Sequence, residues 1–163
     1  MKIYGVIGWK NSGKTTLIER LVADIVSRGF SVSTIKHAHH TFDVDQSGKD
    51  SYRHRVAGAS EVLLTSSKRF ALMHEIRDFK EPLLAALLIK LAPVDVVLVE
   101  GYKSDNHPKI EAHRRETGKP LIATKDKTVR AIATNAKLDF DLPVFGLDDT
   151  QEITEFILAE LGL

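Results

Sequence analysis

The apolar positions at the start of the chain predict a strand, a helix and a second strand in succession. Lys2–Gly8 is a short apolar run, which is typical of a strand buried in a parallel sheet. From Lys14 onward, apolar residues recur at helical spacing, and Gly29 fits the C-terminal cap of that helix. Phe30–His37 has the pattern of a second strand. The start of the chain therefore predicts a βαβ unit.

The rest of the chain continues to alternate between strand-like and helix-like patterns. The next predicted elements are a short helix that ends near Gly58, adjacent strands over 61–67 and 69–76, and a helix over 81–92 with Leu83, Leu84, Leu87, Leu88 and Leu91 on one face. A strand over Val94–Gly101 follows, and then strands over 109–115 and 120–125 around a turn at Thr117–Gly118. The last elements are strands over 129–134 and 142–147 and a helix over 150–161 with Thr150 as its N-cap. This alternation predicts a three-layer α/β fold with a mostly parallel sheet flanked by helices. The sequence contains no repeat and no linker, so residues 1–163 are expected to form a single domain.

Composition restricts the classes of partner. Lys plus Arg number 23 and Asp plus Glu number 22, so the net charge is near zero. The sequence also has no basic block that would indicate a nucleic-acid partner. The chain has no cysteine, which excludes disulfides and thiol chemistry. Lys90, Pro93 and Asp95 interrupt the longest apolar stretch, and no signal-peptide layout precedes the first strand. We therefore expect a cytoplasmic protein with no membrane partner.

The strongest motif is the sequence GWKNSGKTT, which follows the first predicted strand and matches the pattern G-x-x-x-x-G-K-[ST]. Glycines let a backbone curl so that its N–H groups point at a phosphate, and the following helix adds positive charge at its N-terminus. A lysine and a hydroxyl at these positions reach the terminal phosphates and Mg²⁺, respectively. The pattern predicts the fold of a P-loop NTPase and these nucleotide-binding residues: Gly8, Trp9, Lys10, Asn11, Ser12, Gly13, Lys14, Thr15 and Thr16.

Some positions in this loop have alternative interpretations. A glycine turn without a ligand would show the same pattern. Trp9 could cover the nucleotide, support a neighbouring subunit or simply pack, and Lys10 could contact phosphates or be solvated. Lys14 is the predicted catalytic residue of the loop, because its charge would stabilise the transferring phosphoryl group.

Glu100 ends a predicted buried strand and is followed by Gly101, which permits a sharp exit. Ligands of open parallel sheets lie outside the carboxyl ends of the strands, which is also the edge predicted for Lys14 and Thr15. Thr15 and Glu100 are therefore the predicted Mg²⁺ ligands, and the alternative is an exposed acid without a metal.

A polar segment follows the second predicted strand. Asp43 and Asp45 are candidates for positioning the attacking water, as switch loops do in nucleotide hydrolases. A further set of residues could contact an anionic substrate or partner: Lys36, His37, His39, His40, Lys49, Asp50 and Arg53. A transition-metal site at the histidines and a simply solvated loop are the alternatives.

Three segments together resemble the molybdopterin-guanine dinucleotide biosynthesis adaptor family, called MobB. They are GWKNSGKTTL at 8–17, IKHAHHTFDVDQSGKDSYRHRVAGA at 35–59 and VDVVLVEGYK at 94–103. The chain departs from the family at Ser47, where proline is frequent, and at Trp9 and Lys10, which replace small residues.

The resemblance implies Mg²⁺ as cofactor, GTP as ligand, weak GTPase activity and a homodimer. It also implies a supporting role in attaching a guanine nucleotide to molybdopterin, beside the guanylyltransferase of the same pathway. Selectivity for guanine rests on this resemblance, because the sequence TKDK at 124–127 has its acid one position too early for a guanine-reading motif.

Two other functions fit parts of the sequence. A small-molecule kinase would use the same loop with an arginine-rich lid, for which Arg53 and Arg55, or Arg114 and Arg115, are candidates. A metallochaperone GTPase would use the histidines of the polar segment as metal ligands.

Overall fold

The structure is a computed structural model that describes residues 1–38, 42–78 and 80–163. The chain forms two compact units, one containing Met1–His37 and Leu88–Leu163 and the other Ala38–Leu87. The elements are β1 (Lys2–Ile7), α1 (Lys14–Ser27), β2 (Val32–Lys36), α2 (Asp50–Val56), β3 (Glu61–Thr65), β4 (Phe70–His74), α3 (Leu84–Leu88), β5 (Val96–Glu100), β6 (Lys109–His113), a 3-10 helix (Arg115–Thr117), β7 (Val129–Thr134), β8 (Val144–Gly146) and α4 (Thr150–Leu161).

The first unit contains a six-stranded sheet in the order β2-β5-β1-β6-β7-β8, and every neighbouring pair is parallel. Helices α1 and α4 contact each other and pack on one face of this sheet. Leu21 and Ile25 of α1 and Ile157 of α4 are fully buried against strand residues such as Tyr4 and Leu98. The predicted α/β fold with a mostly parallel sheet flanked by helices is confirmed.

On the opposite face of the sheet, the predicted strand over 120–125 is wrong. Glu111 is fully buried on this face, and its carboxylate accepts hydrogen bonds from the backbone N–H groups of Ile122 and Ala123 at 2.9 and 2.8 Å. Because those N–H groups bond to a side chain, they do not pair with a strand. The segment forms turns instead.

Two helix predictions also need correction. The helix predicted over 81–92 is only Leu84–Leu88, and Leu83 and Ile89 on either side of it are exposed. Helical spacing alone does not sustain a helix when one face is not covered by a core. Helix α4 begins at Thr150 as predicted, but its N-cap is Asp149 rather than Thr150.

The second unit contains α2 and an antiparallel hairpin of β3 and β4, which confirms the adjacent strands predicted there. Leu63, Phe70 and Leu72 of this hairpin are exposed. Among the described residues of the whole chain, no helix is both long and apolar enough to cross a bilayer.

Candidate functional site

The backbone of the loop between β1 and α1 adopts, at two of its positions, conformations that glycine readily permits. Gly8 and Gly13 have φ values of +152° and +93°, and Asn11 between them has +64°. A Cβ atom on Gly8 would lie 2.3 Å from the carbonyl oxygen of Ala112 and 2.4 Å from Ser12 Oγ. The loop therefore packs so closely on β6 that no side chain fits at Gly8.

The N-terminus of α1 leaves backbone donors for an anion. The helix begins at Lys14, and the N–H of Leu17 makes a 3.0 Å bond to the carbonyl of Gly13. The N–H groups of Lys14, Thr15 and Thr16 consequently have no acceptor within the helix, and no side chain in the described part of the chain caps them. Ser12 Oγ is buried without a hydrogen-bond partner among the described residues. Such donors, at the positive end of a helix, fit a phosphate group.

Trp9 anchors this loop to the rest of the first unit. Its indole Nε1 donates a 2.8 Å bond to the carbonyl of Pro120, and its own carbonyl accepts a 2.8 Å bond from Lys14 Nζ. Lys103 Nζ lies 4.5 Å from the centroid of the indole ring. The structure shows a hydrogen bond and a cation–π contact for Trp9; contact with a nucleotide or with a neighbouring subunit stays a prediction.

Glu100 ends β5 beside β1, where it pairs in register with Val6. Its side chain is 12% exposed, and its Oε2 lies 3.3 Å from Lys36 Nζ. Glu100, Lys36 and Thr15 line one crevice of about 470 Å³. The structure thus brings together the two residues predicted to hold Mg²⁺, and a carboxylate with a hydroxyl is a donor set that suits this ion.

The chain turns sharply after Glu100. Gly101 and Tyr102 both have positive φ values, +94° and +48°, and the Tyr102 ring lies 4.9 Å from that of His37. A Cβ on Gly101 would be 3.0 Å from His37 Cβ. His37, a predicted anion contact, therefore packs against the segment that leaves β5.

The charges around the loop act on one another. Burial lowers the pKa of the Lys14 ammonium, Glu100 opposes that shift, and the positive charges of Lys103 and Lys36 add to it. The pKa is lowered because desolvation and like charges disfavour the protonated amine. Three ammonium groups with one nearby carboxylate form a positive site that suits a polyanion.

The second unit contains the candidate water-positioning acids, where Arg55 pairs with both. Arg55 donates to Asp43 at 2.8 Å, to Asp45 at 3.1 Å and to Glu75 at 2.9 Å. Asp45 also accepts a 2.8 Å bond from Ser51 Oγ. The pKa of Asp43 is lowered chiefly by a hydrogen bond from the Asp45 N–H and, to a smaller extent, by the hydrogen bonds from Arg55. These contacts give both acids a structural role, and water positioning stays a prediction.

The remaining candidates of the polar segment are less connected. Lys49 is the N-cap of α2, and Asp50 and Arg53 form an exposed pair 3.8 Å apart. His39 and His40 lie outside the described residues. Within the described parts of the chain, no three His, Cys, Asp or Glu side chains come together to hold a metal ion.

Two further cations adjoin the loop. A Cβ on Gly13 would lie 3.1 Å from Arg114 Nε, so this guanidinium packs on the residue before α1. Lys103, which was not among the residues predicted from the sequence, reaches the loop through Trp9. Both residues follow the carboxyl end of a strand, and that position is the signal that could have identified Lys103.

Comparison with known proteins agrees with this geometry. The profile of MobB, described as molybdopterin guanine dinucleotide synthesis protein B, matches residues 3–135. The molybdopterin-guanine dinucleotide biosynthesis adapter proteins of Haemophilus influenzae and Escherichia coli are 40% and 36% identical over 155 and 153 residues, covering 95% and 92% of this chain and 86% and 87% of theirs. The crystal structure of a MobB homologue from Bacillus stearothermophilus superposes with a TM-score of 0.73 at 30% identity and covers 99% of each chain.

The profile spans most of the sequence, and the likeness to the relatives extends over nearly the whole of both chains. The chain belongs to the MobB family.

Proposed function

We propose that this protein is a cytoplasmic GTP-binding adapter with weak Mg²⁺-dependent GTPase activity. It supports the attachment of a guanine nucleotide to molybdopterin during molybdenum cofactor biosynthesis. The observation that carries the nucleotide site is the loop from Gly8 to Thr16, with free N–H groups at the start of α1 and ammonium groups around it. The names of the relatives support the pathway, because they are adapter proteins of molybdopterin-guanine dinucleotide biosynthesis.

In this proposal, the loop binds the phosphate chain of the nucleotide. The N–H groups of Lys14, Thr15 and Thr16 donate to phosphate oxygens. Lys14 exchanges its hydrogen bond to the Trp9 carbonyl for one to a terminal phosphate. Because the backbone N–H donors are fixed by the loop before binding, these N–H groups stabilise charge on the transferring group without reorganisation.

Thr15 and Glu100 would hold Mg²⁺ in the crevice that they share. The ion, when bound, neutralises charge on the phosphates. Glu100 is paired with Lys36, so binding a cation there frees the Lys36 ammonium to interact with the ligand. The exposed position of Lys36 at the end of β2 leaves room for that movement.

The hydrogen bonds that the candidate water-positioning residues accept from Arg55 are consistent with weak turnover. Asp43 and Asp45 both accept hydrogen bonds from Arg55, so part of the acceptor capacity of each carboxylate is already used. Charge-assisted pairs of this kind are among the stronger hydrogen bonds in proteins. We therefore expect slow hydrolysis by the isolated protein, with the adapter role predominant.

A phosphate-release assay tests this function. Purified protein with GTP and Mg²⁺ should release phosphate slowly, and should do so less with ATP. Lys14→Ala should abolish release, whereas Lys127→Ala, an exposed lysine before β7, should not change it. Transfer of phosphate to a small acceptor rather than to water would support a kinase instead.

The proposed partners include a second copy of the chain, molybdopterin and the guanylyltransferase of the pathway. Leu63 and Leu72 are cross-strand partners, and Phe70 shares their face of the β3–β4 hairpin. All three are exposed, and a two-stranded hairpin with an apolar face is marginal by itself. This face supports the homodimer.

Light scattering tests the homodimer. We expect a dimer at micromolar concentration, a monomer for Leu63→Lys and an unchanged dimer for Lys68→Glu at the hairpin turn. A monomeric wild-type protein at tens of micromolar would exclude it.

A further inference from the structure

Trp9 is in contact with two ammonium groups. The Trp9 carbonyl accepts the hydrogen bond of Lys14 Nζ at 2.8 Å, and Lys103 Nζ lies 4.5 Å from the centroid of the Trp9 ring. The indole is itself fixed by its 2.8 Å bond to the Pro120 carbonyl. The two lysines, which are far apart in sequence, are therefore held at the same loop residue.

The turn of the backbone after β5 places Lys103 beside Trp9. Gly101 and Tyr102 both adopt left-handed conformations, with φ values of +94° and +48°. A non-glycine residue with positive φ is unusual and costs free energy, so surrounding contacts must hold it. The Tyr102 ring packs on His37, which stabilises the turn. The strand end thus presents Glu100 and Lys103 on the same short segment.

The charges of this cluster are unbalanced. Lys36 pairs with Glu100 at 3.3 Å, whereas Lys103 makes no ion pair with a carboxylate among the described residues. The ammonium groups of Lys14 and Lys103 both lie against Trp9, one at its carbonyl and the other at its ring. Placing like charges together is unfavourable unless an anion binds between them. An aromatic face compensates an ammonium only modestly, so it can release the group to a stronger partner.

We propose that Lys103 is a second phosphate-binding lysine of the loop and that Trp9 positions it. The ammonium rests on the indole and contacts the terminal phosphates of the nucleotide together with Lys14. This inference rests on the proposed nucleotide-binding function and adds to it a specific role for each residue. Lys103 binds the ligand, and Trp9 acts through Lys103 and Lys14.

Binding of GTP, GDP and GMP to Lys103→Ala tests the role of Lys103. Loss of one charge-assisted contact to a phosphate should weaken GTP binding about tenfold. GMP binding should change much less, because GMP lacks the terminal phosphates. Lys127→Ala removes the same charge from an exposed position before β7 and should bind all three nucleotides like the wild type. Lys103→Arg should restore most of the GTP affinity.

The positioning role of Trp9 is tested with a double-mutant cycle. Trp9→Phe keeps an aromatic face but loses the bond to Pro120, and Trp9→Leu also loses the face. We expect Trp9→Leu to weaken GTP binding more than Trp9→Phe. In the double variant Trp9→Leu/Lys103→Ala, the loss of GTP-binding free energy should be smaller than the sum of the losses in the two single variants. Trp9 is also the single tryptophan of the chain, so its fluorescence reports on this site directly. GTP should change that emission less in Lys103→Ala than in the wild type.

The outcomes separate the two proposals. Wild-type protein that binds no nucleotide would overturn both. Wild-type protein that binds GTP, with Lys103→Ala equally tight or with GTP and GMP weakened alike, would overturn the role of Lys103 alone. Additive losses in the cycle would show that Trp9 does not act through Lys103.

Discussion

Replacing Gly8 with alanine tests how closely the loop packs on the sheet. The new Cβ would lie 2.3 Å from the Ala112 carbonyl oxygen, which belongs to the backbone of β6, and 2.4 Å from Ser12 Oγ. Backbone cannot move aside as a flexible side chain does. The φ value of +152° is also unfavourable for any residue with a Cβ.

The expected loss of stability has two contributions. Adopting the strained backbone costs about 1–3 kcal/mol. Forcing an extra methyl group into closely packed surroundings costs about 1–3 kcal/mol more. Together they give about 2–6 kcal/mol, which lowers the melting temperature by about 5–20 °C for a chain of this size.

Gly29→Ala is the matched control at the other end of α1. Gly29 also has a left-handed φ, +92°, but a Cβ there would meet nothing within 4 Å. Only the backbone strain applies, so we expect a loss of about 1–3 kcal/mol, or about 2–12 °C in melting temperature, without the added cost of close packing. Calorimetry compares the two variants. Equal melting temperatures for Gly8→Ala and Gly29→Ala would refute the close packing of the loop on β6.

The other predictions concern the ligand site and the core. Lys14→Ala should lose most GTP affinity in a binding titration while its melting temperature stays within a few degrees, because Lys14 is partly exposed; tight binding would exclude its role. Glu100→Gln should reduce Mg²⁺-dependent turnover more than GTP binding, and unchanged turnover would remove Glu100 from the site. Leu21→Asp should prevent folding by circular dichroism, since it buries an unpaired charge at a fully buried position. Hydrogen bonds from Ser31 lower the pKa of Asp95, so its ionised form stabilises the fold fully above the unfolded-state pKa, and that contribution is lost as pH falls through the lower folded-state pKa. Asp95→Asn should therefore be less stable than the wild type at pH 7, and the difference in thermal unfolding should shrink as the pH falls through the lowered folded-state pKa.

The features that the sequence predicted correctly depend on local pattern. The βαβ unit follows from apolar spacing and from the glycines around Lys14. The meeting of Thr15 and Glu100 follows from a general property of parallel sheets, since the carboxyl ends of their strands share one edge. No long-range contact had to be known for either prediction.

The features that were missed depend on contacts between distant residues. The segment 120–125 does not form a strand because the N–H groups of Ile122 and Ala123 bond to the Glu111 carboxylate. The residues of the segment carry no pattern that would predict this contact. Trp9 bonds to Pro120 across 111 residues of sequence, and the same indole receives Lys103. Helical spacing over 81–92 likewise does not reveal that only Leu84–Leu88 forms a helix.

The central claim is that the loop from Gly8 to Thr16 binds the phosphates of a nucleotide. Isothermal titration calorimetry with GTP and Mg²⁺, on the wild type and on Lys14→Ala, tests it most directly. We predict saturable binding of one GTP per chain to the wild type and little or no heat with Lys14→Ala. No heat with the wild type, or identical binding curves for the two proteins, would contradict the claim.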